Sequence, residues 1–186
     1  MIKRRRLNRE LVVAAAARLA NEAGSISTLT LASLAAELDI RTPSLYNHIA
    51  SLEDLQAALA LYGSQQFLSA IQQASLGKTG REAVLAIAHA YRDVALANPG
   101  IYELMLRAPS ADQPDLHEVS EQIVQYIMLV LTAYGLHGEA ALHAVRGVRS
   151  LAHGFVSLEL AGGFGLNLSR DESYARLVET FLDGLG

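Results

Sequence analysis

From Thr42 to Ile49 the chain reads Thr-Pro-Ser-Leu-Tyr-Asn-His-Ile, with five side chains bearing hydroxyl, amide or imidazole groups. Leu45 and Ile49 stand four apart, so on a helix they share one face. Thr42, Ser44, Asn47 and His48, with the Tyr46 hydroxyl, are left on the other. Small donors on an exposed helix face suit hydrogen bonds to phosphate oxygens and base edges in a DNA groove. Upstream, Lys3-Arg4-Arg5-Arg6 is a cationic arm of the kind that neutralises phosphates.

Catalytic chemistry finds less support. The chain has no Cys, which removes cysteine nucleophiles, disulfides and thiolate zinc sites. It has no Gly-x-Ser-x-Gly elbow, no His-Glu-x-x-His and no Gly-rich nucleotide fingerprint. Gly77-Lys78-Thr79 has Gln72 where a phosphate loop requires Gly, and no strand precedes it. His89 with Asp93, and His117 with Glu121, are pairs four apart that suit surface hydrogen bonds better than a metal. The expectation is a non-enzyme with no metal and no cofactor.

The elements that must carry the donors are helical. Of 186 residues, 30 are Ala and 31 are Leu, and 51% are apolar against 18% charged, which predicts an all-α fold. The longest apolar run is Leu11 to Ala17, short of the ~18–20 residues that span a bilayer, and no secretion signal follows the basic start. Zero Cys fits a reducing compartment, so a cytoplasmic location with no membrane partner is expected. Net charge is −4 with pI near 5.8, which taken whole argues against nucleic acid. The sum conceals a division: residues 1–50 carry seven basic and four acidic residues, and the remainder is −7.

Apolar periodicity predicts about nine helices. Asn8 caps the first, which ends at Gly24, and Thr30 caps the second, Leu31 to Leu38. Thr42 caps a third over Pro43–Ile49, and Ser51 a fourth from Leu52 to about Ala74. Helix five covers Arg81–Ala97, a short sixth Ile101–Arg107, and the seventh runs from Leu116 to Tyr134. Met128, Leu129 and Leu131 make its second half apolar all round, which predicts burial mid-bundle. Helix eight spans about Glu139–Ala161, and Ser169 caps a last helix to about Leu182. The expected division is an N-terminal three-helix DNA-binding domain over 1–50, its helix-turn-helix at about 30–49, joined by helix four to a larger helical bundle over 51–186.

Over roughly residues 8–60 the chain resembles the TetR repressors. The likeness rests on Asn21-Glu22-Ala23-Gly24, Leu31-Ala32-Ser33-Leu34-Ala35, Pro43-Ser44-Leu45-Tyr46-Asn47-His48-Ile49 and Leu52-Glu53-Asp54-Leu55. The resemblance implies that Thr42, Pro43 and Ser44 face base edges. It implies that Tyr46, Asn47 and His48 meet the phosphate backbone, with Thr30 and Ser33 at the start of the second helix. Two positions depart from the family pattern. Asp39 stands where the turn usually has Gly, and Leu52 where a phosphate-gripping Lys often begins the fourth helix. Asp tolerates a left-handed backbone better than most residues, so the turn is expected to survive.

The resemblance further implies a homodimer reading a palindromic operator, with the last two helices pairing across a two-fold axis. Val145, Val148, Arg149, Ala152 and Phe155, with Tyr174, Leu177, Val178 and Phe181, are the candidate contacts. Leu151-Ala152-His153-Gly154 and the residues up to Gly165 resemble a C-terminal subgroup with a Trp-His-Gly signature, with Arg149 about where the Trp would stand. A sensor needs an apolar pocket with few polar groups, and Tyr91, Tyr102, Met105, Tyr126, Met128 and His153 are candidate walls for a small, largely apolar effector. The functional expectation is a ligand-responsive transcriptional regulator, a repressor released by its effector. The alternative is a helical ligand-binding or interaction protein whose DNA-binding motif has decayed.

Overall fold

The structure is a computed structural model, and it describes residues 7–185. The Lys3–Arg6 arm lies outside the described residues. Helices α1 (Arg9–Ala23), α2 (Leu31–Glu37), α3 (Thr42–Leu45) and α4 (Leu52–Ser75) come first. They are followed by α5 (Gly80–Ala97), α6 (Tyr102–Met105), α7 (Pro114–Leu131), α8 (Gly138–Leu160) and α9 (Arg170–Asp183). Short 3-10 turns at Ile26–Thr28 and Thr132–Tyr134 complete the order, and no strand occurs among the described residues. The fold is all-α, as composition and periodicity predict.

Local chemistry sets most boundaries. The Asn8 side chain accepts the Leu11 N–H at 2.9 Å, and Gly24 closes α1 at φ 71°. Ser51 Oγ accepts the Asp54 N–H at 3.1 Å, and Ser169 Oγ the Glu172 N–H at 3.2 Å. Two elements differ from the expectation. Helix α3 has four residues, with Thr42 inside it and Arg41 in the cap position without a side-chain cap bond. The chain tightens after Leu45, where His48 N–H donates to Leu45 O at 2.8 Å, so 46–48 continue as turns. In α7, Leu129 is 66% exposed, so its apolar second half is not sheathed all round as predicted.

The chain divides into two compact units. The first comprises residues up to Ser64 with Asn98–His117; the second comprises Gln65–Ala97 with residues from Glu118 on. Val12, Ala16, Leu34, Leu45, Ile49, Leu55, Leu59 and Ile101 form the core of the first, joined by Leu104 and Leu116. Burying each large side chain is worth about 2 kcal/mol, which holds even the four-residue α3 in place through Leu45 and Ile49. The 98–117 segment approaches α1 very closely, since a Cβ at Gly100 would stand 2.0 Å from Ala20 O. Asn21 secures this contact: its Nδ2 donates to Asn98 Oδ1 at 2.9 Å and its Oδ1 accepts the Gly100 N–H at 3.0 Å.

In the second unit α5, α8 and α9 pack together. Val84, Ile87 and Ala88 on α5, Val148, Ala152 and Val156 on α8, and Tyr174 and Val178 on α9 are among its buried side chains. Arg92 is buried there in an ion cluster. Its Nε and Nη2 donate to the Glu159 carboxylate at 2.7 and 2.8 Å, and its Nη1 to Asp171 at 2.8 Å. Its guanidinium also lies 5.8 Å from the Phe155 ring centre and 5.5 Å from that of Tyr174. The hydrogen bonds to Glu159 hold Arg92 cationic and hold the Glu159 carboxyl below its ordinary range.

Candidate nucleic-acid interface

The turn between α2 and α3 is built from backbone hydrogen bonds. Ile40 N–H donates to Ala35 O at 3.0 Å and Asp39 N–H to Ala36 O at 3.2 Å, the paired bonds of a Schellman motif. The motif needs a left-handed residue at its centre, and Asp39 supplies it at φ 53°. The substitution of Asp for the usual Gly therefore leaves the turn intact. Beyond it, Leu45 and Ile49 are buried at 0% and 1% exposure. Pro43, Asn47 and Tyr46 are exposed, Tyr46 at 56%, and Thr42, Ser44 and His48 are half-buried. All six donor-face candidates thus lie on one short stretch whose apolar members point inward. Arg41, exposed at the entry to α3, adds a cation that the motif reading did not single out.

Thr30 and Ser33 are exposed but already engaged with each other. Thr30 Oγ1 accepts the Ser33 N–H at 3.0 Å, and Ser33 Oγ accepts the Thr30 N–H at 3.1 Å, a reciprocal capping box. Leu52 is 38% exposed at the start of α4, where its side chain offers no donor.

Two charged residues to which the motif reading gave no role at the interface hold the far end of the donor stretch. Arg9 Nη1 donates to His48 O at 2.9 Å, and the same guanidinium grips Asp54 with bonds of 2.8 and 2.6 Å. Asp54 Oδ2 also accepts the Ala50 N–H at 2.7 Å. The hydrogen bond from Arg9 holds the Asp54 carboxyl below its ordinary range. No local pattern signals this set, because Arg9 and Asp54 are 45 residues apart. Arg18 similarly bridges α1 to α2, pairing with Glu22 and Glu37.

The other candidates scatter. Tyr102 and Met105 fall in the first unit, where Met105 lies against Gly63; Tyr91, Tyr126, Met128 and His153 fall in the second. Tyr91 meets Phe67 edge-on at 5.4 Å, Tyr126 Oη bonds Ser75 Oγ at 2.7 Å, and His153 Nδ1 lies 3.2 Å from Ser157 Oγ. A groove of about 740 Å³ opens instead on the first unit, walled by Leu7, Leu11, Ala15, Leu38, Ile40 and Tyr62 among others, and includes none of the six. Of the nine residues read as dimer contacts, Val145, Val148, Ala152, Phe155, Tyr174 and Val178 are buried within the chain itself. Phe181 is half-buried against Gly147, so only Arg149 and Leu177 face outward. Helical periodicity marks a buried face without saying whether the same chain or another covers it.

An all-α chain presenting a helix-turn-helix with an outward row of small donors belongs to the class of helix-turn-helix DNA-binding regulators. Residues 84–181 match the family model described as tetracyclin repressor-like, C-terminal domain. The chain is 37% identical over 180 residues to the HTH-type transcriptional regulator YobS of Bacillus subtilis (strain 168), spanning 96% of this chain and 93% of that one. A protein from Rhodococcus sp. RHA1 shares the fold with a TM-score of 0.81 at 24% identity, over 98% of this chain and 97% of the other. A TetR variant from Acinetobacter baumannii AYE, in complex with minocycline, superposes with a TM-score of 0.71 at 24% identity, covering 96% of each chain. The chain belongs to the TetR family of transcriptional regulators. Among the described residues no single helix is long and apolar enough to cross a membrane.

Proposed function

We propose that the protein is a homodimeric repressor that binds a palindromic operator in the cytoplasm and releases it on binding a small, largely apolar effector. The reading is carried by the division of residues 42–49, with Leu45 and Ile49 buried while Tyr46 and Asn47 are exposed. Thr42, Pro43 and Ser44 read base edges; Tyr46, Asn47 and His48 hold the phosphate backbone, with Arg41 and the Lys3–Arg6 arm adding charge. Thr30 and Ser33 act at phosphate through a helix end that they themselves cap. One such unit offers few contacts, so two, related by a two-fold axis, read half-sites ~34–36 Å apart or at a multiple of that spacing.

The dimer surface is drawn from what remains exposed on α8 and α9: Arg146, Arg149, Leu158 and Leu177. The functional division is an operator-reading domain of residues 1–50 and a sensing and dimerisation domain of 51–186. An effector is supported by the likeness to a TetR variant whose structure was determined in complex with minocycline.

The test is binding of the purified protein to the DNA flanking its own gene, measured across salt concentrations. The expected result is preference for that DNA over random sequence and a log K that falls linearly with log salt. Equal affinity for both, or a flat salt response, would overturn the repressor reading.

A further inference from the structure

We propose that Arg9 and Asp54 are positioning residues for operator recognition, and that Arg9 makes no phosphate contact despite following the basic arm. The inference rests on the DNA-binding reading above and extends it to residues outside the donor face. By sequence Arg9 is one more cation behind Lys3–Arg6. Its guanidinium, however, is committed to protein acceptors: the His48 carbonyl and both oxygens of Asp54, at 2.6 to 2.9 Å. A planar fork gripping a carboxylate in this manner fixes direction as well as distance.

Asp54 is the hub of the arrangement. One carboxylate receives the Arg9 fork and also the Ala50 N–H, while the Asp54 backbone N–H donates to Ser51 Oγ. The link between α3 and α4 is therefore held at His48 O and Ala50 N–H, two residues apart, by a single ion pair rooted in α1 and α4. Tyr46, Asn47 and His48 stand immediately before this link. Their backbone lies in turns closed within the segment, His48 N–H donating to Leu45 O at 2.8 Å and Ile49 N–H to the same oxygen at 3.0 Å, and the clamp fastens the end of that segment to α1 and α4. Burial of Leu45 and Ile49 seats α3, and the clamp adds a tie from outside the segment at its far end. Side-chain exposures of 47% for Arg9 and 29% for Asp54 put the pair at the surface, where an ion pair adds little to global stability. Its effect is on where the donors point.

The experiment compares Arg9→Lys, Arg9→Ala and Asp54→Asn with the parent, using full-length protein and the DNA flanking its own gene over a range of salt. Each variant is expected to bind about tenfold more weakly, with salt slopes parallel to the parent's and melting temperatures near it. A phosphate contact predicts otherwise: Arg9→Lys would bind like the parent, and Arg9→Ala would flatten the slope by about 0.9. Asp54→Asn separates the two ideas by sign. Removing an acid from a DNA-facing unit favours binding on charge alone, whereas loss of the clamp weakens it. Parent-like affinity in Arg9→Lys, a flattened slope in Arg9→Ala, or tighter binding by Asp54→Asn overturns the proposal.

Amide hydrogen exchange at Ala50 reports on the clamp without DNA, and Asp54→Asn is expected to accelerate it about tenfold or more. Unchanged exchange overturns the clamp even where DNA binding persists. A parent that does not discriminate between flanking and random DNA, with accelerated exchange in the variant, overturns the repressor reading and leaves the clamp standing.

Discussion

Asp39 holds φ 53°, where a Cβ crowds the following carbonyl, yet the α2–α3 turn closes with both of its backbone bonds. The strain is tolerable for Asp and heavy for a β-branched residue. Asp39→Gly is expected to keep stability within about 0.5 kcal/mol of the parent or raise it, and Asp39→Val to lower it by about 1–2 kcal/mol. Urea titration measures both, and equal stability of the Val variant would show that the turn is not strained. At the donor face, Tyr46→Phe combined with His48→Ala should weaken binding to the gene-flanking DNA about tenfold while sedimentation reports an unchanged oligomeric state. Parent-like affinity would move the contact surface elsewhere. These residues were legible because their types, spacing and apolar partners all lie within one octapeptide. Arg9 and Asp54 were not, since their meaning depends on a fold that brings together positions 45 residues apart.

At the scale of helices, the caps were readable where a single side chain decides the boundary: Asn8, Thr30, Ser51 and Ser169 each accept a first-turn N–H. Helix α3 is shorter than its apolar spacing predicts: His48 N–H closes onto Leu45 O at 2.8 Å while Ile49 stays buried, so the spacing marks the inner face and not the helix end. The faces of α8 and α9 showed their burial but not their cover. Much of that cover is α5, joined to α8 and to the start of α9 by Arg92. Replacing Arg92 with Met removes both hydrogen bonds that Glu159, only 7% exposed, receives from its main cation and leaves it Arg170 at 3.9 Å, and is expected to cost about 3–5 kcal/mol. Adding Glu159→Leu should recover much of the loss. Glu159 carries a depressed pKa in the fold, so its contribution is complete above the unfolded-state value of about 4.3 and disappears as pH falls through the lower folded value. The parent's urea midpoint should therefore drop more steeply below pH about 4 than that of Glu159→Gln; parallel curves would mean that the pair is electrostatically neutral to folding.

Over the whole molecule, the −4 charge is a poor guide because it averages a basic first 50 residues with an acidic remainder of −7. Like charges repel, so an acidic surface held near DNA is expected to lower affinity for phosphates and a basic one to raise it. Exposed Glu118 and Glu121 test this: Glu118→Gln with Glu121→Gln should raise affinity for random DNA about two- to threefold at low salt, with the difference shrinking as salt rises. Unchanged random-DNA affinity would make the acidic surface irrelevant to selectivity.

The first compact unit is assembled from two separated stretches, and its second stretch delivers Ile101, Leu104 and Leu116 to the core and Gly100 to the backbone of α1. A ribosome delivers the chain in one direction, so this unit cannot complete its core when Ser64 emerges. At about 5–20 residues per second it waits roughly 3–10 seconds for His117, while the intervening chain is made. During that interval Ile101, Leu104 and Leu116 are missing from the core that also holds Leu45 and Ile49, and the unit is complete only once well over half of the protein has been translated.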